Sequence, residues 1–307
     1  MGIETETARL LLASARSGVS FRRSVTLGRQ SLFLGNNELR GLLAEYGFTA
    51  EHCAKFLSTP YSKWKFSEEF WKTLGVEELT TLDASDFHGA NCVHDLNTPI
   101  PESLKARFDT VCDLGTLEHV FNVPVAFKNC LEMVAEGGHF IAVAPANNQF
   151  GHGFFQFSPE MFYRVFNKAN GFEVEEMIAV EYGPRHRWYR VADPVKIRAR
   201  VTLVNSYVLN LFVRARRTRI VPIFAKIPQQ SDAEEQWAGT AAPAQDGIVD
   251  RFADGKFDRI KNILLDLSPG FSRFLEALRF SSLNREWSLR NCGSFTPIPD
   301  KRLNRSK

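Results

Sequence analysis

The stretch FDTVCDLGTLEHV, residues 108–120, decides the fold. Its first half is apolar and β-branched up to Cys112 and reads as a strand, and Gly115 supplies the turn by which a chain leaves a strand sharply. A strand that runs into a glycine turn opens many nucleotide sites. A glycine loop of that kind, however, is followed by a helix and then by a strand ending in an acid about twenty residues on. After Gly115 come TLEHVFNVP, an amphipathic helix over 123–135 stopped by Gly137-Gly138, and the buried strand HFIAVAP (139–145), which ends in Ala144-Pro145. No acid ends that strand. The suitable acids lie upstream, so 108–120 is the fourth strand of a sheet and its exit loop.

The flanking sequence supplies the rest of that sheet. Residues 4–17 carry Ala8, Leu11, Leu12 and Ala15 at helical spacing. SVTLGRQ (24–30) reads as a strand ending at Gly28, and a helical stretch over 36–74, broken at Thr59-Pro60, follows. ELTTLDASD (78–86) is a second strand closing on Asp83, and ANCVHDLN (90–97) a third closing on Asp95. Downstream, SPEMFYRVFNKANGF (158–172) starts a helix with Ser158 as N-cap and Pro159 at its first position. FEVEEMIAVEY and YVLNLFVRARR are strands. Strands alternating with helices predict an α/β fold, a mostly parallel sheet finished by an antiparallel last strand. The expected organisation is an N-terminal helix within 1–20, an α/β domain over 21–220 with a helical insertion at 36–74, and a linker with a helical extension over 221–307. In that extension, RFADGKFDRIKNILLDL and GFSRFLEALRF read as helices, and the tail beyond Cys292 reads as irregular.

Composition narrows the class. With 307 residues, 44% of them hydrophobic, the chain holds a sizeable core, and a net charge of +3 gives no global field for nucleic acid or membrane. The 26 phenylalanines point to a bulky aromatic core, an apolar pocket, or both. Five scattered cysteines without a C-x-x-C pair indicate neither a disulfide framework nor a zinc knuckle, so no metal is expected and a reducing compartment fits. The N-terminus lacks a basic leader before an apolar run, and no segment reaches spanning length; a cytoplasmic protein is the expectation.

In an open α/β sheet, ligands sit beyond the carboxyl ends of the strands, near the point where strand order reverses. There Asp83 is placed to accept two ribose hydroxyls and Asp95 to meet an adenine amino group; capping a turn is the simpler role for either. The segment FDTVCDLGTLEHVFNVPVAFKNCLEMVAEGGHFIAVAP resembles the corresponding half of class I S-adenosylmethionine-dependent methyltransferases, and within them the small-molecule, ubiquinone-biosynthesis-like branch. Phe108-Asp109 entering the strand, Leu117-Glu118-His119 leaving it, Gly137-Gly138 before the next strand and the later GFEVEE carry the resemblance over about residues 75–182. It implies a Rossmann-like sheet, with Gly115 and Thr116 lining the cofactor. The family's G-x-G-x-G loop is reduced here to TLGRQSLFLG, which keeps Gly28 and puts Arg29, Gln30 and Ser31 where little or no side chain is wanted. Either Arg29 clamps the cofactor's carboxylate, or the loop has lost the cofactor.

The resemblance implies S-adenosylmethionine as cofactor and a small-molecule or carrier-bound glycan or lipid acceptor. The acceptor would lie over the fourth and fifth strand exits, by Glu118, His119 and the loop PANNQFGHGFFQFSP (145–159). His119 and His152 are the candidate general bases, the former competing with a role as loop cap. Phe154, Phe155 and Phe157 could wall an apolar acceptor site, with at least one of them assigned by alternation to the core. Ten Arg and Lys residues between 185 and 219, against Asp193 as the lone acid, form a solvated basic face or hold an anionic partner, the latter being the basis of a non-catalytic binding or scaffold alternative. Nucleic acid is disfavoured, since no aromatic-rich module accompanies that stretch.

Overall fold

The computed structural model describes residues 2–49, 51–53, 66–233 and 283–299, with the single positions 57, 277 and 281. Eleven strands are formed among them: β1 (Gly2–Ile3), β2 (Arg23–Leu27), β3 (Ser31–Leu32), β4 (Glu78–Asp83), β5 (Cys92–Val93), β6 (Phe108–Asp113), β7 (Val134–Asn147), β8 (Phe172–Tyr182), β9 (His186–Val191), β10 (Leu209–Arg217) and β11 (Phe295–Ile298). Nine of them make one sheet in the order β11-β9-β8-β10-β7-β6-β2-β4-β5, while β1 and β3 pair separately.

The pairs from β5 to β7 are parallel, and β10 slots antiparallel between β7 and β8. This is the Rossmann-like, class I methyltransferase architecture expected from the sequence, extended at one edge by antiparallel β9 and β11. The chain winds from β2 outward to β4 and β5, then returns to the other side of β2 for β6 and β7. The reversal of strand order therefore falls between β2 and β6, where such sheets open a crevice at their carboxyl edge.

Alternation along the strands builds two apolar layers. Val111, Phe140, Ala142 and Val213 pack with Phe127 and Leu131 of α4 (Val123–Met133) and Phe162 of α5 (Pro159–Val165). Cys112, Ile141 and Phe212 point the other way, into a core with Leu11 of the N-terminal α1 (Thr5–Arg16), Leu39 and Leu43 of α2 (Asn36–Glu45), and Phe70 and Trp71 of α3 (Glu68–Thr73). Helices thus cover both faces, as a parallel sheet requires.

Several local expectations are corrected. The α4 helix ends at Met133, not 135, because β7 begins at Val134; Gly137-Gly138 is a bulge inside that strand and not the helix stop. There the β6–β7 register jumps between the Phe108↔Val134 and Thr110↔His139 pairs, and a Cβ on Gly138 would stand 2.7 Å from the Asp109 carbonyl oxygen. The third strand is two residues long, since Asp95 starts a turn that accepts the Thr98 N–H at its carbonyl oxygen. The described part of the tail beyond Cys292 is not wholly irregular: Phe295–Ile298 forms an edge strand on β9, where Pro297 is tolerated. Of the 36–74 stretch, Thr59-Pro60 lies outside the described residues, as do the two helices expected over 251–280 except for Ala277.

Candidate active site

Asp113 closes β6 with no exposed surface, and its Oδ1 accepts the Thr116 N–H at 2.8 Å and the Leu117 N–H at 3.3 Å. With Gly115 at φ +98°, the chain turns under that carboxylate into the 3-10 turn Leu117–His119. The Thr116 hydroxyl donates to the Leu27 carbonyl at 2.8 Å, tying the β6 exit to the end of β2. The Gly28 N–H donates to the Leu82 carbonyl at 2.6 Å, tying β2 to β4 beside Asp83. Gly28, Asp83, Gly115 and Thr116 are thereby gathered at the three strand exits that border the strand-order reversal.

The acids of this edge differ sharply. Asp83 is half-buried, and the one described hydrogen bond of its carboxylate is from the Ala84 N–H to Oδ1. Asp95 is exposed, and its Oδ1 accepts from the Asn97 backbone and amide nitrogens at 2.9 and 2.8 Å, contacts that hold its pKa below the ordinary carboxylate range. Asp113, which the sequence reading passed over, is pushed up to about 8 by burial and by the neighbouring charge of Glu118, against the pull of three backbone N–H groups. Its position at the end of an apolar strand was the available signal.

The loop after β2 is filled by its own side chains. Gly28 takes φ +75°, and the buried Gln30 amide donates to the Leu27 and Gly28 carbonyls at 2.6 and 3.3 Å, while Gln30 Oε1 is buried without a partner. Arg29 is already engaged: its Nε lies 2.6 Å from Glu68 Oε1, a terminal nitrogen donates to the His88 carbonyl, and its guanidinium sits 3.8 Å from the centre of the Phe66 ring. The guanidinium expected to clamp a carboxylate joins the loop to α3 and to the 85–89 loop.

Beyond Thr116 stands a second cluster. Glu118 is 0% exposed, and neither carboxylate oxygen has a hydrogen-bond partner. His152 Nε2 lies 3.3 Å and His119 Nε2 3.9 Å from Glu118 Oε1, and the two imidazole rings are 5.2 Å apart. Burial pushes Glu118 up to about 7; burial first, then the charge of His152, pushes His119 down. The 145–159 loop is clamped onto this turn, the Phe154 and Phe155 N–H groups both donating to the Glu118 carbonyl at 2.7 and 3.2 Å. Gly153 makes the clamp possible: φ is +74°, and a Cβ there would lie 2.7 Å from that same carbonyl oxygen. Sequence reasoning placed Glu118, His119 and the loop that carries His152 around one acceptor pocket; it did not foresee the direct approach of the three side chains to one another.

Phe154 is 66% exposed and meets the exposed Phe121 edge to face at 5.8 Å. Phe155 is partly buried and Phe157 is core. Gln156, Phe157 and Ser158 line a mostly apolar cavity of about 240 Å³ with Leu209, Leu211 and Phe295. The basic stretch is largely paired: Arg187 with Glu181, Arg190 with Glu176, Arg200 with Asp232 and Arg214 with Glu175, while Arg217 is buried against the carbonyls of Glu132 and Val134. It also hides β9, whose Trp188 and Tyr189 are buried between exposed His186, Arg187 and Arg190.

No protein-family model and no curated protein matches the sequence. Among solved structures, the chain is similar to the trans-methyltransferase CalH in complex with SAH, at 12% identity and a TM-score of 0.36, over 69% of this chain and 55% of that one. It is similar to the N-methyltransferase NodS from Bradyrhizobium japonicum WM9, in complex with S-adenosyl-L-homocysteine, at 12% identity and a TM-score of 0.38, over 70% of this chain and 87% of that one. A third, the 1,6-didemethyltoxoflavin-N1-methyltransferase from Burkholderia thailandensis, gives 11% identity and a TM-score of 0.36 over 69% and 78%. Likeness this distant assigns no activity; the description of the fold rests on strand order. Among the described residues, no helix is long and apolar enough to cross a membrane.

Proposed function

We propose that the protein transfers a methyl group from S-adenosylmethionine to a small molecule or a carrier-bound precursor. One observation carries this reading: Gly28, Asp83, Gly115 and Thr116 converge at the strand-order reversal, with an ionisable cluster and exposed aromatic rings directly beyond them. The residues present suit the cofactor chemically. Asp83 offers acceptor oxygens to ribose hydroxyls, and Gln30 Oε1 is a buried acceptor without a partner, suited to an ammonium group. The cofactor, when bound, supplies an electrophilic methyl group on a sulfonium.

The chain's own contribution is positioning, exclusion of water and removal of a proton. Phe121 and Phe154 offer an apolar wall to the acceptor, and Phe155 backs it. In the metal-free chain, His119, held neutral by its surroundings, and His152 are the groups able to take a proton from an acceptor hydroxyl or amine. Glu118 sets where His152 stands.

A second reading has one observation of its own. Arg29 and Gln30 fill the loop after β2 and are bonded within the protein, as suits a methyltransferase-like binding protein without catalysis. Calorimetric titration with S-adenosylmethionine and S-adenosylhomocysteine separates the two. Micromolar binding that Asp83→Ala abolishes is expected for the enzyme; no heat at millimolar ligand would leave the binding protein standing.

A further inference from the structure

We infer that Glu118, His119 and His152 form a binding site for a divalent transition-metal ion of the zinc class. One ligand atom from each residue comes within 4.8 Å of the others, the carboxylate buried and the two histidines exposed. Around a tetrahedral ion bonded at about 2.0–2.1 Å, neighbouring ligand atoms stand about 3.3 Å apart. The His152–Glu118 separation of 3.3 Å already has that value, while the 3.9 Å of His119–Glu118 and the wider His119–His152 separation, within 4.8 Å, close by rotation of the two exposed rings.

A second feature points the same way independently of the spacing. Glu118 is fully buried, yet both its oxygens lack a hydrogen-bond donor. A buried carboxylate left in that state is costly, and a cation held jointly with the two imidazoles removes the cost. Two imidazoles and one carboxylate are a donor set for zinc and its first-row neighbours; magnesium and calcium prefer oxygen ligands throughout.

The frame is built to hold such a site. The bonds from the Phe154 and Phe155 N–H groups to the Glu118 carbonyl fix the His152 loop on the turn that carries the other two ligands. Gly153 permits the approach. With 47% of the His119 side chain and 53% of that of His152 exposed, the ion keeps coordination positions open to solvent. An acceptor hydroxyl could fill one and lose its proton to solvent water, the resulting alkoxide stabilised by the cation while the imidazoles serve as ligands. The site does not depend on methyl transfer and can be tested without the methyl donor.

The test is titration of the chelator-stripped, reduced full chain with Co²⁺, followed by visible absorption, with Zn²⁺ as competitor. One equivalent should bind and be displaced by Zn²⁺. His152→Ala, at a side chain that is half exposed, should weaken binding on the order of 100-fold, as should Glu118→Gln. His94→Ala should leave it unchanged. Absence of saturable binding at submillimolar metal would overturn the site, as would affinity unchanged in both His152→Ala and His119→Ala. Preference for Mg²⁺ over Zn²⁺ would overturn the assignment to the zinc class.

Discussion

Replacing Glu118 by Gln should make the metal-free protein more stable at alkaline pH and leave it nearly unaltered in acid. The Glu118 carboxyl, ordinarily at 4.5, is pushed up to about 7 by burial. Between those two values the folded chain holds a proton that the unfolded chain has released. Stability is therefore highest below the unfolded value, falls as pH rises towards the folded one, and levels off above it. At about 1.4 kcal/mol per pH unit, the loss comes to ~3 kcal/mol, a sizeable part of the usual stability of a domain. Asp113 is raised partly by the same charge, so its relief in the variant acts in the same direction. Urea unfolding across the pH range, with chelator present because a bound cation would hold Glu118 ionised, measures the effect. The difference between variant and wild type should grow by ~3 kcal/mol from about pH 4.5 to about pH 8. A wild type that gains stability over that interval, or a variant less stable than wild type at the alkaline end, would refute the account of Glu118 as an unpartnered buried acid.

Two glycines give sharper structural tests. Gly153→Ala places a Cβ 2.7 Å from the Glu118 carbonyl oxygen at φ +74°, so the loop must lift from the turn. The variant should lose ~1–2 kcal/mol in urea unfolding and bind Co²⁺ as poorly as His152→Ala; full affinity would show that the clamp does not position His152. Gly138→Ala meets three backbone oxygens within 3.1 Å, those of Asp109, Ala135 and Phe108, none of which can rotate away. It should cost ~1–3 kcal/mol by the same assay while leaving Co²⁺ affinity intact, and a neutral result would show the β6–β7 bulge to be more pliant than drawn.

The centre of the sheet was legible because β2, β4 and β6 are apolar runs that end in glycine or an acid. FDTVCDLG could be placed fourth only because the acids lay before it. What stayed hidden was hidden for physical reasons. β9 reads as a basic stretch because its outward positions are His186, Arg187 and Arg190, and two of its three buried residues, Trp188 and Tyr189, are adjacent instead of alternating. β11 exists only through pairing with β9, a long-range contact that a four-residue segment containing Pro297 cannot signal. The Gly137-Gly138 pair looked like a helix stop, yet its role is close approach to the backbone of β6. At the site, Glu118, His119 and the loop of His152 were readable as neighbours of one pocket, but the contact of their side chains was not, since His152 lies 34 positions after Glu118 and one loop crossing sets the distance.

The two sides of the crevice differ in what their polar groups still lack, and that difference bears on function more directly than sequence motif does. After β2, Arg29 has three partners and the Gln30 amide nitrogen has two, leaving Gln30 Oε1 as the open acceptor of that pair. After β6, Asp113 Oδ2 and both oxygens of Glu118 are buried without hydrogen bonds, beside imidazoles that remain accessible. Buried polar groups are nearly always satisfied, and those that are not mark places where a ligand, an ion or a proton completes the structure. Arg29 and Gln30 fill the β2 loop on one side only. The side chains of Glu118, His119 and His152 meet without contribution from that loop, so binding of a metal ion there can be measured apart from any affinity for S-adenosylmethionine.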